Sequence, residues 1–441
     1  MTNTGLILYD LLKGTHIRKT MRFLKYSRRW SREELENYQA EKLGRLVEKV
    51  QKEVPFYRSP DTGYRIPGDW PIVDRKMTME AGDRLLSEKI NLKKCKVSRT
   101  GGTTGPPMRL YRDTETRSWA LAAYYRFYEW MGIEPGMPEA ELWGTKEIRD
   151  QRSEIRNQNF ILNSIPKKQT LLHSGIFDRI SRFRSYNAFS FNDTYLEAVV
   201  ADMQKFKPRL IRGYLSAILL LADYIKKHHI KGINPIALSS TAETLFPGYR
   251  KKIETVFQAP LFNQYGCGEC NSIAFECSRH KGMHITMEHC LLEQDAENNL
   301  ILTNLDNYSQ PFIRYKNGDK GIIDHSPCAC GNAAPRLVEI QGRASENIIL
   351  KDGSSVNGIF FANLLDETGF INSDHLLRFQ VVQNKTGEIN FRAEVKDAMS
   401  NADLQKLKDA LMPFFRQVEI SQHKFLDPGP GGKFRYIISK I

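Results

Sequence analysis

FKPRLIRGYLSAILLLADY, residues 206–224, reads as a strand, a turn at Gly213-Tyr214 and a helix capped by Ser216. The apolar run within it is interrupted by Asp223 and followed by lysines, far short of the ~20 apolar residues that cross a bilayer. Strands and helices alternate in the same way on either side. KCKVSRT is a short strand leading into a glycine-rich loop, Arg117 to Tyr128 is helical, ELW at Glu141 opens another strand, and the alternation continues to about Gln264. Such alternation predicts an α/β fold with largely buried strands.

From Ala274 onward short strand-like runs such as LILTNL and GIIDH take over. After Gly342-Arg343 the texture changes again. LRFQVVQN and GEINFRAEV predict a hairpin, Ala402 to Phe414 a helix, Val418 to Phe425 a strand, and YIISKI a last strand beyond DPGPGGKFR. This tail has the size and pattern of a small α+β domain. The expected divisions are a basic helical arm (1–56), a large multi-layer body (57–343) and a mobile C-terminal domain (344–441).

The chain has 441 residues, 41% of them hydrophobic and 26% charged, enough for a large core. Its first apolar stretch, GLILYDLL, is broken by Asp10 and has no basic residues before it, so no secretory signal is read and a cytoplasmic protein is expected. The net charge of +13 is unevenly placed. Lys13, Arg18, Lys19, Arg22, Lys25, Arg28, Arg29 and Arg32 give +8 without an intervening acid, whereas the stretch from Ala344 to the end balances twelve bases against twelve acids. A basic arm interleaved with Met21, Phe23, Leu24, Tyr26 and Trp30 suits either a solvated helix packed through its aromatics or peripheral contact with an anionic membrane or RNA.

Several short strings carry chemistry. SRTGGTTGPP, residues 98–107, groups Ser98, Thr100, Gly101, Gly102, Thr103, Thr104 and Gly105, and glycines let backbone N–H groups approach a phosphate. It lacks the Gly-Lys-Ser/Thr ending of the common triphosphatase loop. NQYGCGE, residues 263–269, ends a strand on Tyr265 and turns to Glu269, a carboxylate suited to magnesium. In PFIRYKNGDKGII, Asn317-Gly318 is a strong hairpin signal and leaves Asp319 at the turn edge, where two oxygens could accept ribose hydroxyls. IQGRASE offers Arg343 to a phosphate, and PGPGGKFR presents Lys433 on a glycine loop.

In this order, from roughly Tyr57 to Ile441, the strings resemble the adenylate-forming ligase superfamily and, within it, the phenylacetate-coenzyme A ligase branch, including relatives encoded with capsular polysaccharide genes. The resemblance implies an ATP-dependent enzyme that makes an acyl adenylate from a carboxylic acid and passes the acyl group to an acceptor, by default the thiol of coenzyme A, alternatively an amine. It places the phosphates against residues 98–105, the adenine side at Thr241, Ala242 and Glu243, and Tyr265 along the adenine pocket. It further assigns magnesium to Glu269, the ribose to Asp319, the ribose or phosphates to Arg343, and the bond-forming region to Lys433. Two departures stand out: Pro106 and Pro107 replace the lysine that often follows the last loop glycine, leaving Arg109 as the nearest cation, and Glu346 replaces a hinge aspartate.

Six of the seven cysteines fall between Cys267 and Cys330. Cys277-Ser-Arg-His280 and Cys328-Ala-Cys330 have spacings that could close a tetrahedral structural zinc site, with Cys270, Cys290, His284, His289 and His325 as other ligands within reach, or the cysteines are buried free thiols. Zinc-containing members of the resembled branch have a similar arrangement. A zinc-bearing nucleic-acid-binding or adapter protein is the rival reading, but it gives no reason for the glycine loop, Asp319 and Lys433, so nucleic acid is not the expected partner.

Overall fold

Alternating local signals become two compact units, Met1–Gly5 with Ile133–Leu261 and Ser345–Ile441, and Leu6–Gly132 with Phe262–Ala344. The computed structural model describes residues 3–58, 70–99, 108–143, 182–188, 191, 193–343, 347–356, 358–370, 376–427 and 434–441.

In the first unit, strands Glu139–Trp143, Phe183–Asn187, Leu210–Tyr214 and Ala237–Thr241 pair in parallel. Near-continuous burial of the latter two explains why ALSST reads as an unbroken run of apolar and small residues, and LIRGY as one interrupted only by Arg212, rather than as alternating patterns. Helices Asp193–Phe206, Leu215–Lys227 and Pro247–Phe257 accompany them, with Leu196, Ile218 and Ile253 among the core residues of the unit. The expected turn at Gly213-Tyr214 is absent, because both residues complete the strand and the helix starts at Leu215. A glycine is needed there for another reason: a Cβ on Gly213 would stand 2.3 Å from the Leu142 carbonyl oxygen of the neighbouring strand. Nor does Ser216 cap the helix. It lies inside it, and the cap is supplied from elsewhere, as described below.

The tail contributes a four-stranded sheet to the same unit. Leu376–Lys385 and Glu388–Val395 form the expected antiparallel hairpin, flanked in parallel by Ile437–Ser439 and Gln417–His423. Ser400 caps helix Asn401–Leu411 by accepting from the Asp403 N–H. Stacked Phe379 and Phe391 fill the sheet's buried face.

The second unit is built on antiparallel strands in the order Cys290–Gln294, Asn299–Asn304, Tyr315–Asp324, Arg336–Arg343, Met283–Ile285, Ala274–Glu276 and the end of Leu261–Tyr265. Helix Arg32–Glu53, opened by a Ser31/Glu34 capping box, is tied to this sheet by buried polar groups. Gln39 donates to the Met287 and Cys290 carbonyls, and Lys42 donates to the Glu288 carbonyl and to Asp306. Asn317-Gly318 does not turn a hairpin. Tyr315–Asp324 runs through it as one strand, and the register against Asn299–Asn304 slips from Ile301↔Lys316 to Asn299↔Lys320. Gly318, at φ +86°, takes up the extra residues as a bulge.

Candidate functional site

The bulge and the end of strand Leu261–Tyr265 bring three named side chains together. Tyr265 Oη donates to Asp319 Oδ2 at 2.8 Å, while Asn317 Nδ2 donates to Tyr265 Oη at 2.6 Å. Asn317 Oδ1 also accepts from the Asp319 backbone N–H at 3.0 Å, so the bulge fixes its own acidic side chain. Burial, then the Asp319 charge, pushes the Tyr265 phenol well above its ordinary range and keeps it a donor. Arg343 stands opposite Asp319 in the register of the next strand.

After Tyr265 the chain folds back tightly, with Cys267 N–H on the Cys270 carbonyl and Ile273 N–H on the Tyr265 carbonyl. Glu269 is buried in this turn, and Tyr315 Oη donates to its Oε1 at 3.0 Å. The turn is held from behind by Asn304, whose amide donates to the Glu269 carbonyl, and by His289, whose ring joins the Asn271 carbonyl at 3.0 Å and Asp306 Oδ2 at 2.7 Å. Lys42 completes this buried set on Asp306 Oδ1 at 2.5 Å and lies over the Trp119 ring at 3.7 Å.

Ser98 sits in strand Lys96–Arg99, paired with Arg109–Arg112, at the foot of the glycine loop. Arg112 Nη2 donates to Ser98 Oγ at 2.8 Å. Burial and then the Arg117 charge lower the Arg112 pKa, and Cys267 and Glu269 act in the opposite sense, so this guanidinium is within electrostatic reach of the magnesium candidate. Arg109, the cation nearest the loop in sequence, is exposed. Thr100, Gly101, Gly102, Thr103, Thr104, Gly105, Glu346 and Lys433 lie outside the described residues.

In the first unit, Thr241 ends its strand, Ala242 takes φ +69°, and the backbone delivers Glu243 onto the start of helix Leu215–Lys227. Glu243 Oε2 accepts from Ser216 N–H at 2.7 Å and Oε1 from the Ser216 hydroxyl at 2.9 Å, which is the missing cap. Oε1 also accepts from the N–H of Phe434, the residue after Lys433, at 3.1 Å. The motif expected at the adenine side is thereby joined to the tail at Phe434.

Cys277, Cys328 and Cys330 converge with His284, their ligand atoms all within 4.8 Å of one another. His280, expected as the imidazole ligand, is not in this set. Its N–H closes a turn on Cys277, its φ is +51°, and its Nδ1 turns back to Glu276 at 3.2 Å. His284 arrives instead through strand pairing, directly opposite Arg336. Its Nδ1 is engaged by the Ala334 carbonyl at 2.9 Å, leaving Nε2 toward Cys330 Sγ at 3.2 Å. Three thiols and one oriented imidazole are a soft, tetrahedral-type donor set. Cys270, Cys290 and His289 belong to the packing around the Glu269 turn, and His325 faces Arg32.

No family model matches the chain. Protein CapK of Staphylococcus aureus is 26% identical over 371 residues, spanning 81% of this chain and 77% of CapK. Phenylacetate-coenzyme A ligase of Thermus thermophilus is 23% identical over 425 residues, 88% of this chain and 84% of that protein. Among solved structures, 2-hydroxyisobutyryl-CoA ligase in its postadenylation state shares the fold at a TM-score of 0.68 and 17% identity, over 88% of this chain and 86% of that one. The chain is thus similar in sequence to CapK and to phenylacetate-coenzyme A ligase, and it shares its fold with 2-hydroxyisobutyryl-CoA ligase.

Proposed function

We propose that the protein is an AMP-forming ligase that activates a carboxylic acid with ATP and transfers the acyl group to the thiol of coenzyme A. The Asn317–Tyr265–Asp319 set supports this reading, because it keeps a carboxylate, able to accept from ribose hydroxyls, beside an aromatic ring, able to stack on a purine. A carboxylate oxygen of the acid attacks the α-phosphorus of ATP and the bond to pyrophosphate breaks. The thiolate sulfur then attacks the acyl carbon and AMP leaves. Negative charge gathers at phosphorus in the first step, where oriented N–H groups and cations stabilise it. Residues 98–105, Arg343 and Lys433 take that role, joined by Arg112 from the foot of the loop. Asp319 holds the ribose hydroxyls, and Thr241 and Ala242 border the adenine.

Glu269 offers oxygen ligands of the kind magnesium takes, and the ion would offset phosphate charge. Cys277, His284, Cys328 and Cys330 would hold a structural zinc, which has no step in the chemistry. We place the activity in the cytoplasm, with the basic arm in peripheral contact with an anionic surface. An amide-forming ligase acting on an amine in cell-surface polysaccharide synthesis is the second reading, supported by the resemblance to capsular relatives. The deciding experiment is acid-dependent exchange of labelled pyrophosphate into ATP, over aryl, fatty, amino and uronic acids, followed by trapping with coenzyme A or amines. Exchange stimulated by one acid is expected. Its absence across the panel, from protein that binds ATP, would defeat the proposal.

A further inference from the structure

Asp10 is the one acid among the first 32 residues, and it is fully engaged within the chain. The Thr15 hydroxyl donates to its Oδ1 at 2.7 Å, and the Ile17 and Arg18 N–H groups donate to its two oxygens at 2.9 and 3.2 Å. Asp10 thus caps helix Ile17–Ser27 and fixes the corner after helix Asn3–Lys13. Ile17, Thr20, Leu24 and Ser27 face inward, and Ser27 Oγ donates to buried Glu288 at 2.6 Å. The opposite face is therefore presented on a fixed support. It carries Arg18, Lys19, Arg22, Lys25 and Tyr26, all exposed, and Arg28 and Arg29 follow, also exposed. In the preceding helix Ile7, Leu8, Leu11 and Leu12 share one side and stand 40%, 37%, 75% and 62% exposed.

We propose that this pair of helices docks on an anionic lipid bilayer, with Leu11 and Leu12 entering the interface and the cations of Ile17–Ser27 among the headgroups. Charge complementarity chooses this occupant. A second copy would set these six exposed cations against six more. A nucleic-acid backbone would satisfy the cations but leave the leucines in water. A bilayer with anionic headgroups uses both, and the combination of inserted apolar side chains with a polybasic face is what stable peripheral binding requires. The proposal names the membrane chemistry behind the peripheral placement above and needs no acyl-transfer activity, so its test contains neither ATP nor acid.

The full chain is sedimented with phosphatidylcholine vesicles, with and without phosphatidylglycerol. Binding is expected only where the anionic lipid is present, and it weakens with salt. Arg22→Gln with Lys25→Gln should weaken it roughly 30-fold. Leu11→Ser with Leu12→Ser should abolish stable binding, and because all four positions are exposed the melting temperature should hold. Failure to bind anionic vesicles, or binding indifferent to both pairs of substitutions, overturns the proposal. So does a dimer that the leucine substitutions convert to monomer, or salt-labile binding to single-stranded RNA that exceeds vesicle binding and ignores the leucines.

Discussion

Replacing Asp319 with alanine tests the nucleotide assignment most directly, because the carboxylate has a definable double duty. In the free protein its Oδ2 accepts from Tyr265 Oη; with ATP bound it would also accept from the ribose diol. A hydrogen bond to a charged acceptor contributes about 1.5–3 kcal/mol, so losing one hydroxyl–carboxylate bond should cost roughly 10- to 150-fold in kcat/KM. The wild-type protein should show that loss with 2′-deoxy-ATP or 3′-deoxy-ATP, whichever hydroxyl is held more closely. Asp319→Ala should turn over ATP at about the reduced rate and show little further loss with the same analogue, giving a coupling energy of about 1.5–3 kcal/mol in the substrate–protein cycle. Tyr265 keeps the bond from Asn317 in the variant, so the melting temperature should fall only modestly. The assay is pyrophosphate exchange with each nucleotide. If Asp319→Ala retains the full wild-type discrimination between ATP and both deoxy analogues, Asp319 does not hold the ribose.

Zinc content measured on purified protein should be about one ion per chain; His284→Ala should lose it and melt at lower temperature, whereas His280→Ala should keep it. Chelation should lower the melting temperature of the wild type in the same way. Glu288 is buried, yet its carboxyl is held below its ordinary range because Arg126 and Ser27 outweigh burial. A depressed carboxyl stabilises the fold above about pH 4.5 and loses that contribution as pH falls through its folded value. Arg126→Leu should cost about 3–5 kcal/mol near neutral pH and reverse the sign of this dependence, since Glu288 would then be buried without its partner and favour the protonated form; thermal melts from pH 3 to 8 read both. Gly213→Ala should lose about 3 kcal/mol in urea unfolding, because the added Cβ meets backbone rather than a yielding side chain.

The α/β layers were legible because buried parallel strands leave short apolar runs between helices, and the tail hairpin was legible from its alternation. Errors came where one local signal has two structural uses. Asn317-Gly318 is the residue pair a tight turn needs, and it is equally what a bulge needs, since both require a positive φ at glycine. Nothing within the string distinguishes them; the partner strand Asn299–Asn304 does, by pairing on both sides of the slip. Gly213 is a similar case. The sequence asks for a special backbone, whereas the structure asks for the absence of a side chain beside Leu142.

The same limit governs the site. Tyr265, Glu269 and Asp319 could be named from their strings, but their partners Asn317, Tyr315 and Asn304 could not, because those bonds depend on register between segments far apart along the chain. The histidine of the sulfur cluster shows the physics most clearly. The Cys277–His280 spacing suits one metal ion when the intervening residues turn freely. Here the turn spends His280 on a left-handed backbone and aims it at Glu276. Gly282, at φ +100°, then redirects the chain into Met283–Ile285, and pairing with Arg336–Arg343 carries His284 to the cysteines. A ligand set assembled across strands is specified by the sheet that aligns it, so spacing alone ranks the nearest histidine first while register selects the next one along.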